Sequence, residues 1–513
     1  MNIRRESQAE RYDIIVVGSG MGGLSAAALL AKAGKKVLVV ERHDRPGGYA
    51  HAFQRKQYHF DATTHFIGEC QPNGVIDDLL RYLGVRERCD FVLVDPFYTA
   101  IYPGFRLRVP LGTEAFLQAH LGHFPAEAAG LRQLLEVSSR LFHEMIDVPT
   151  ELSLWDMLQM PRKFPTLFKY RNATLGQVMD EYLVDPRLKT VFASLWPALV
   201  LEPSRLSILP WSMVLISMLE YGAFYCRGSF QKLPNAFVEA LQRDGGELLL
   251  RSRVRRILVH NRQVQGVVLE NGQQITAPVV ISNADVTETV EELVGVEQFP
   301  SAYVSHIHQM KPSLSGFVAY LATDLDLRQF ELSHETFAYS SWDHEETYHT
   351  ILAGKPGVLA LTIPTLTDPS LAPPGEHLVI VLTLIPYDVG ASWREEKAQY
   401  LEQLTNAAET VIPGLHAHLT FAEGGSPRTL ERYTLNLTGA IYGWELSPEQ
   451  VGQRRHVEHQ TPIKGLLLSG HWTQPGAGIN SVVISGMQTA QQLLGNATIG
   501  DFLQAPPQPP GSP

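Results

Sequence analysis

The sequence predicts an α/β fold in which a Rossmann-like domain, built on a parallel sheet, is interleaved with an α+β domain built on an antiparallel sheet. The first observation is a short, wholly apolar run, Ile14–Val17, that leads into a glycine-rich turn, a helix and a second apolar run. The second is that similar short runs return near residues 247–250, 279–282 and 466–469. The third is a series of three longer apolar runs between residues 313 and 386, typical of antiparallel strands.

The opening turn has the spacing G-x-G-x-x-G, with Gly18, Gly20 and Gly23. The first glycine allows the tight turn, the second lets the backbone approach a pyrophosphate, and the third lets the helix pack closely on the strand. The Ala/Leu-rich helix, predicted from about Gly23 to Ala33, directs its free N–H groups and positive dipole end at the phosphates.

An acid completes this unit. The second strand, Val37–Val40, ends at Glu41, where a carboxylate accepts hydrogen bonds from ribose hydroxyls and disfavours a 2′-phosphate, which argues against NADP. FAD and NAD share the unit, so it does not choose between them. The residues predicted here to contact the cofactor are Gly18, Ser19, Gly20, Met21, Gly22, Gly23, Glu41 and Arg42.

Two further glycine-rich stretches favour FAD. The doublet Gly47-Gly48 resembles one found in flavoprotein oxidoreductases, where it approaches the cofactor. Near the other end of the sequence, Gly470 follows an apolar strand, and the turn 475–478 opens onto a helix beginning at about Asn480. This second helix N-terminus suits the pyrimidine end of a flavin and its ribityl chain.

Composition limits the other possibilities. Hydrophobic content of 44% and charged content of 19% are those of a globular protein, and a net charge of −11 argues against nucleic acid as a partner. Three scattered cysteines predict neither a disulfide framework nor a zinc site and fit a cytoplasmic setting. We expect no secretory signal and no transmembrane helix, because the first residues lack an apolar core and no run of 18 apolar residues occurs.

Residues 48–69 contain a cluster of ionisable side chains on what we predict to be two short strands with a turn near 55–57. Three interpretations stay open: a metal site, polar lining of a pocket under the flavin, or proton transfer to a substrate by His65 or Glu69. The spacing matches no metal-ligand pattern, so we predict no metal. The cluster consists of His51, His59, Asp61, His65 and Glu69.

Two segments point to an apolar substrate. From about Ile76 to Lys169 the spacing is helical, and within it the stretch Arg162–Arg171 alternates basic and aromatic residues. That stretch suits either a membrane interface or a solvated helix with a buried aromatic face. The strongly apolar stretch Leu195–Tyr225, cut by three prolines, forms either the wall of an apolar pocket or plain core helices.

The N-terminal unit, the segment Arg227–Asp285 and the turn Gly470–Gly478 together resemble the superfamily of phytoene desaturases, carotenoid isomerases and retinol saturases. The resemblance implies a GR2-type flavoprotein that binds FAD. It places Val254 at the adenine and Ala477, Gly478 and Ile479 at the flavin.

The resemblance and the motifs predict six segments. The FAD-binding domain takes residues 1–95, 225–300 and 456–498, the substrate domain takes 96–224 and 301–455, and a Pro-rich disordered tail takes 499–513.

The function implied is desaturation, saturation or cis–trans isomerisation at a C=C bond of an apolar polyene such as a carotenoid or retinoid, with the saturase and isomerase branches favoured. The electron donor or acceptor stays open, and a peripheral contact with membrane is expected. Candidate proton-transfer residues are His65, Glu69 and His471. Two alternatives stay open: an amine-oxidase-like flavoprotein acting on a polar substrate, and a non-enzymatic FAD-binding carrier of a pigment.

Overall fold

A computed structural model of the protein describes residues 6–148, 154–452 and 456–495. The predicted disordered tail, residues 499–513, lies outside the described residues. Within them the chain forms a five-stranded parallel sheet, a seven-stranded mixed sheet and three small sheets.

The parallel sheet draws on widely separated parts of the chain. Its first two strands and the strand before Asn283 have the predicted bounds, and all neighbouring pairs run parallel. Every residue of the strands Ile14–Val17 and Val37–Val40 is buried, which explains why both are continuous apolar runs in the sequence. In spatial order the strands are Glu247–Leu249, Val37–Val40, Ile14–Val17, Val279–Ser282 and Leu466–Leu468.

Two helices pack closely over this sheet. The first, Met21–Lys32, begins two residues before the predicted start and is buried all round except near its C-terminus. The second, Ile479–Leu494, approaches it so closely that a Cβ atom at Gly486 would lie 2.2 Å from the carbonyl oxygen of Gly22. The Ser25 hydroxyl also donates a 3.0 Å hydrogen bond to the Val483 carbonyl.

The large sheet differs from the prediction. Its strands pair antiparallel except for Tyr98–Tyr102 and Glu335–Tyr339, which run parallel. The helical spacing predicted from Ile76 to Lys169 is wrong at three strands, which are Phe91–Leu93, Tyr98–Tyr102 and Phe105–Val109. Tyr98–Tyr102 is almost wholly buried, so it shows no alternation of apolar and polar residues. In spatial order the strands are Leu419–Gly425, Ser315–Thr323, His377–Ile385, Val358–Thr362, Glu335–Tyr339, Tyr98–Tyr102 and Phe105–Val109.

The small sheets include the hairpins that the sequence predicts. The strands near residues 52–61 pair around a turn at Lys56, and a three-stranded meander includes the tight turn at Asn271-Gly272. The strands are Ala52–Arg55 with Tyr58–Asp61, Val254–His260 with Gln263–Leu269 and Gln274–Thr276, and Ala223–Cys226 between Ile67–Gly68 and Phe91–Leu93.

The helices surround the two main sheets. None among the described residues combines the length and apolar character that crossing a bilayer requires. The other helices are Val75–Tyr82, Thr113–Leu121, Ala128–Asp147, Leu154–Lys163, Pro165–Tyr170, Leu175–Tyr182, Pro186–Phe192, Ile208–Tyr221, Lys232–Arg243, Val286–Glu288 with the π-helix Thr289–Val294, Ser301–Gln309, His344–Leu352, Trp393–Glu409 and Pro427–Thr434.

Candidate active site

A cavity of about 390 Å³ opens at the carboxyl ends of the parallel strands and continues to the large sheet. In open α/β sheets this edge is where nucleotides bind. Most residues predicted to contact the cofactor line the cavity, whereas Ser19 and Gly23 lie behind its surface. The predicted residues that line it are Gly18, Gly20, Met21, Gly22, Glu41, Arg42, Gly47, Gly48, Val254, Gly470, Ala477, Gly478 and Ile479.

The glycine-rich turn is packed too closely for side chains. Gly18 has a φ of +91°, and a Cβ atom at Gly23 would lie 2.5 Å from the Gly18 carbonyl oxygen. A Cβ atom at Gly48 would lie 3.1 Å from the Cα of Gly20, so the second glycine doublet rests directly on the first turn. The Gly47 N–H donates to the Ser19 carbonyl at 2.9 Å. The result is a surface of exposed backbone, which a pyrophosphate needs for close approach.

Asn283, which the sequence reasoning missed, holds this surface in place. Its Oδ1 accepts a 2.9 Å hydrogen bond from the Gly23 N–H, and its side chain also contacts Gly20, Gly22 and Gly470. The available signal was its position directly after the strand Val279–Ser282, at the same sheet edge as the glycine-rich turn.

Glu41 is oriented by the backbone around it. One carboxylate oxygen accepts from both the N–H and the hydroxyl of Ser19, each at 2.8 Å, and the other accepts from the His43 N–H at 2.6 Å. Ser19 therefore positions the acid rather than lining the cavity.

Beyond Glu41 the wall becomes polar. Val254 lies beside Arg253, whose guanidinium donates to Glu288 at 3.2 Å. Arg42 donates to the Arg432 carbonyl, and burial followed by the nearby Arg253 charge lowers the pKa of Arg42.

The C-terminal turn meets the first turn at the sheet edge. The Gly470 N–H donates to the Ser485 hydroxyl at 2.9 Å, and Gly476 and Gly478 have φ values of +119° and +96°. The helix that follows has no side-chain cap at its N-terminus, and residues of its first turn line the cavity. Its first N–H groups and dipole thus face the cavity and favour an electron-rich group there.

The remainder of the cavity is largely apolar. One part of this wall comes from the helix Ile208–Tyr221, and another from strands of the large sheet. The segment 195–225 therefore does line an apolar pocket, as one of its two interpretations predicted. The residues concerned are Pro197, Ala198, Val200, Met213, Val214, Met218, Phe337, Ala360, Leu382 and Leu384.

His65 interrupts this apolar surface. Its Nδ1 lies 3.2 Å from Oε1 of Glu335, whose side chain is 1% exposed. Burial lowers the pKa of His65, but the carboxylates of Glu335 and Asp61 outweigh burial, and the net shift is upward. His65 therefore favours the protonated form more than a free histidine does.

His471 behaves in the opposite way. Its Nε2 lies 3.3 Å from Oδ1 of Asn436, a residue that also accepts from the Trp472 indole N–H at 3.0 Å. Burial lowers the pKa of His471 to about 4, so this ring is neutral at pH 7 and suits hydrogen bonding rather than proton storage.

Glu69 lines the cavity near the C-terminal helix. Burial raises the pKa of its carboxyl group, which hydrogen-bonds to the Asn480 side chain. The predicted cluster around it does not converge on one point, because Asp61 bonds Tyr225 at 2.6 Å and His51 bonds the Gly48 carbonyl at 2.7 Å. Among the residues that the structure describes, no group of three or more such side chains has the arrangement of a metal site.

Comparison with known proteins agrees with this geometry. The family model described as flavin containing amine oxidoreductase matches residues 21–494. The chain belongs to this family.

Several curated relatives match 90% or more of this flavin amine oxidoreductase. Prolycopene isomerase 1, chloroplastic, from an Oncidium hybrid cultivar is 27% identical over 97% of this chain and 86% of its own. All-trans-retinol 13,14-reductase from Macaca fascicularis is 27% identical, covering 90% and 82%. Phytoene desaturase (neurosporene-forming) from Rhodobacter capsulatus is 27% identical, covering 93% of each chain. The resemblance drawn from the motifs is thereby confirmed.

Solved structures agree on the fold. An oxidoreductase from Methanosarcina mazei matches with a TM-score of 0.62 at 18% identity, over 93% of this chain and 99% of its own. Putrescine oxidase bound to putrescine matches with a TM-score of 0.64 at 14% identity, over 95% and 99%. The predicted Rossmann-like flavoprotein fold is confirmed.

The cofactor of this family member is FAD, and the protein is an FAD-dependent oxidoreductase. The residues present fit such a cofactor, because the glycine-lined wall, an oriented acid and two helix N-termini occur along one cavity. FAD supplies hydride transfer, which no side chain provides.

Proposed function

We propose that this oxidoreductase acts at a C=C bond of an apolar polyene, carotenoid or retinoid-like, by saturation or isomerisation in preference to desaturation. The observation that carries the proposal is the apolar part of the cavity, which is continuous with the glycine-lined part. The names of the curated relatives, which include a prolycopene isomerase, a retinol reductase and a phytoene desaturase, support it.

In this proposal the chain supplies binding, orientation and exclusion of water. Backbone N–H groups of the glycine-rich turn bind the pyrophosphate, Glu41 binds ribose, and the N-terminus of the helix Ile479–Leu494 faces the flavin. The apolar wall holds the polyene against the cofactor and keeps water away. His65 and Glu69, whose pKa values are raised, can hold a proton at this wall, and the neutral His471 ring can donate or accept a hydrogen bond there. The six-segment division into FAD-binding and substrate parts belongs to the same proposal.

Anaerobic incubation of the holoprotein with a panel of polyenes tests the reaction. Products heavier by two hydrogens indicate saturation, products lighter by two indicate desaturation, and an unchanged mass with altered chromatographic retention indicates isomerisation. Finding no altered polyene, with either oxidised or chemically reduced FAD, would remove the proposal.

The two alternatives make different predictions. An amine oxidase of this family would need a binding site for a polar amine, whereas the part of the cavity at the helix Ile208–Tyr221 and the large sheet is lined mainly by apolar side chains. A pigment carrier would bind polyene without turnover, and its flavin would be neither reduced nor reoxidised by the ligand.

We further propose that the protein lies in the cytoplasm and contacts the membrane surface through the segment Arg162–Arg171. Within this segment Phe168 is 37% exposed, with the Arg171 guanidinium 3.9 Å from its ring centroid, and Leu158, on the helix Leu154–Lys163 that leads into the segment, is 74% exposed. Phe164 instead packs against the core. Apolar side chains beside cations are typical of a membrane interface.

Flotation with anionic phosphatidylserine–phosphatidylcholine vesicles tests this contact. The double substitution Leu158→Ser and Phe168→Ser should reduce the bound fraction severalfold, because it removes exposed apolar area without touching the core. Val296→Ser, on a residue that is 44% exposed in another part of the molecule, is the matched control. Equal binding by all three proteins would exclude this segment.

A further inference from the structure

The His65 ring lines the cavity and carries one nitrogen without a partner. Nδ1 is bonded to Glu335 at 3.2 Å, whereas Nε2 is buried and has no hydrogen-bond partner among the described residues. A buried polar atom is normally paired, so an unpaired one on a residue of a cavity wall is available to bind a polar group of a ligand.

Glu335 fixes which nitrogen of His65 is left without a partner. Its Oε2 accepts a 2.8 Å hydrogen bond from the Thr362 hydroxyl, while its Oε1 faces Nδ1 of His65. Because a carboxylate only accepts, Nδ1 carries a proton in both forms of the ring. Nε2 is then a donor when His65 is charged and an acceptor when it is neutral.

The surroundings of the ring otherwise offer little polarity. Of the titratable groups that act on it, Glu335 and Asp61 favour its charged form, and the Asp61 carboxyl is itself bonded to the Tyr225 hydroxyl and the Phe230 N–H. The His334 Nε2–H donates to the His65 carbonyl at 2.9 Å, and burial lowers the pKa of His334 to about 4. The nearby lining residues Phe66, Ile67 and Phe337 are apolar.

We propose that Nε2 of His65 binds an oxygen atom of the substrate, so that this chain prefers a polyene alcohol or aldehyde to a pure hydrocarbon. The inference rests on the proposed function and assigns its substrate class. Glu335 is a positioning residue, because it acts through His65.

Binding to the full-length holoprotein with oxidised FAD, measured under argon, tests the preference. The ligands are two matched pairs: all-trans-retinol with its deoxy hydrocarbon, and β-cryptoxanthin with β-carotene. We expect the hydroxylated member of at least one pair to bind about tenfold or more tightly, as one hydrogen bond to a charged group provides.

Variants show whether His65 causes the preference. His65→Phe should lower the affinity for the hydroxylated ligand far more than the affinity for its hydrocarbon partner, and His65→Gln, which keeps an amide nitrogen near Nε2, should retain part of the preference. His59→Phe, on an exposed histidine of the strand Tyr58–Asp61, is the matched control and should behave as wild type.

The outcomes separate the two proposals. Equal affinity within both pairs would overturn the assignment to His65 and leave the polyene reaction standing. A failure of all four ligands to bind would overturn both. A loss in His65→Phe that is the same for alcohol and hydrocarbon would also overturn the assignment, because His65 would then act on packing or on the flavin.

The dependence on pH gives a second readout. Retinal only accepts hydrogen bonds, so its affinity should fall as pH rises through the raised pKa of His65, whereas retinol, which also donates, should change less. Glu335→Gln should shift this fall to lower pH. A constant retinal affinity from about pH 6 to about pH 9 would overturn the donor role of Nε2.

Discussion

The part of the cavity at the parallel sheet presents backbone, whereas the part at the helix Ile208–Tyr221 and the large sheet presents side chains. In the first part the backbones of Gly20 and Gly48 lie so close together that a Cβ atom at Gly48 would be 3.1 Å from the Cα of Gly20. In the second, residues such as Met213 and Leu382 come from segments far apart in sequence. Substitutions in the side-chain part can therefore change which ligand fits, whereas substitutions in the backbone part should mainly prevent the cofactor from binding.

The largest expected effect comes from a substitution at Gly23, in the backbone part of the cavity. Gly23→Val should abolish FAD retention, because its Cβ would lie 2.5 Å from the Gly18 carbonyl and a β-branched side chain cannot move away. The flavin absorbance of the purified protein, relative to total protein, measures the effect.

Gly122 provides the control for this substitution. A Cβ atom there has no neighbour nearer than 3.6 Å, so Gly122→Ala should retain flavin fully. A yellow, stable Gly23→Val protein would mean that the close packing of the turn is unnecessary.

His471, in the cavity wall, should make the stability of the fold depend on pH. The folded state keeps the pKa of His471 at about 4, below the value of about 6.5 in an unfolded chain. Between these values the unfolded state binds the extra proton, so stability is full above pH 6.5 and is lost as pH falls towards 4, by up to about 3 kcal/mol.

His471→Gln should remove most of that loss, since glutamine keeps a donor for Asn436 but does not titrate. Urea unfolding at several pH values measures it. His143→Gln, on an exposed histidine of the helix Ala128–Asp147, should keep the wild-type slope. An unchanged slope in His471→Gln would contradict the assigned pKa.

Met213→Trp should affect the side-chain part alone. The larger indole fills apolar space in the cavity, so polyene affinity should fall about tenfold or more while FAD content stays at the wild-type level. Parallel measurements of polyene binding and flavin absorbance would separate the two parts, and a joint loss of both would show that they are not independent.

Asn283→Asp should have the smallest effect. The carboxylate still accepts from the Gly23 N–H, but its charge repels the pyrophosphate that the turn is proposed to bind. We expect FAD to bind roughly tenfold more weakly with unchanged folding stability. An unchanged FAD dissociation constant would place the pyrophosphate away from Asn283.

The backbone part of the cavity could largely be predicted from the sequence, whereas contacts between distant segments could not. Glycine spacing and a strand end are local, so the turn at Gly18–Gly23, the acid Glu41 and the succession of strand, turn, helix and strand around them follow from sequence. Asn283 was missed because its partners lie 260 residues away along the chain.

The same reasoning applies to the large sheet. The strand Tyr98–Tyr102 is almost wholly buried, so its side chains show no alternation, and the local signal was the turn at 103–104 that pairs it with Phe105–Val109. Glu335, the partner of His65, begins the strand Glu335–Tyr339, which pairs with Tyr98–Tyr102. The sequence gives no sign that this strand lies near His65.

The contact between Gly486 and the first helix has a consequence for biosynthesis. The glycine-rich turn emerges from the ribosome among the first residues of the unit, but the strand Leu466–Leu468 and the helix Ile479–Leu494, which complete the site, emerge more than 400 residues later. At typical elongation rates of about 5–20 residues per second, the nascent chain spends roughly 20 seconds or more without a complete nucleotide pocket. Flavin loading is therefore a late event, which follows the synthesis of the helix Ile479–Leu494.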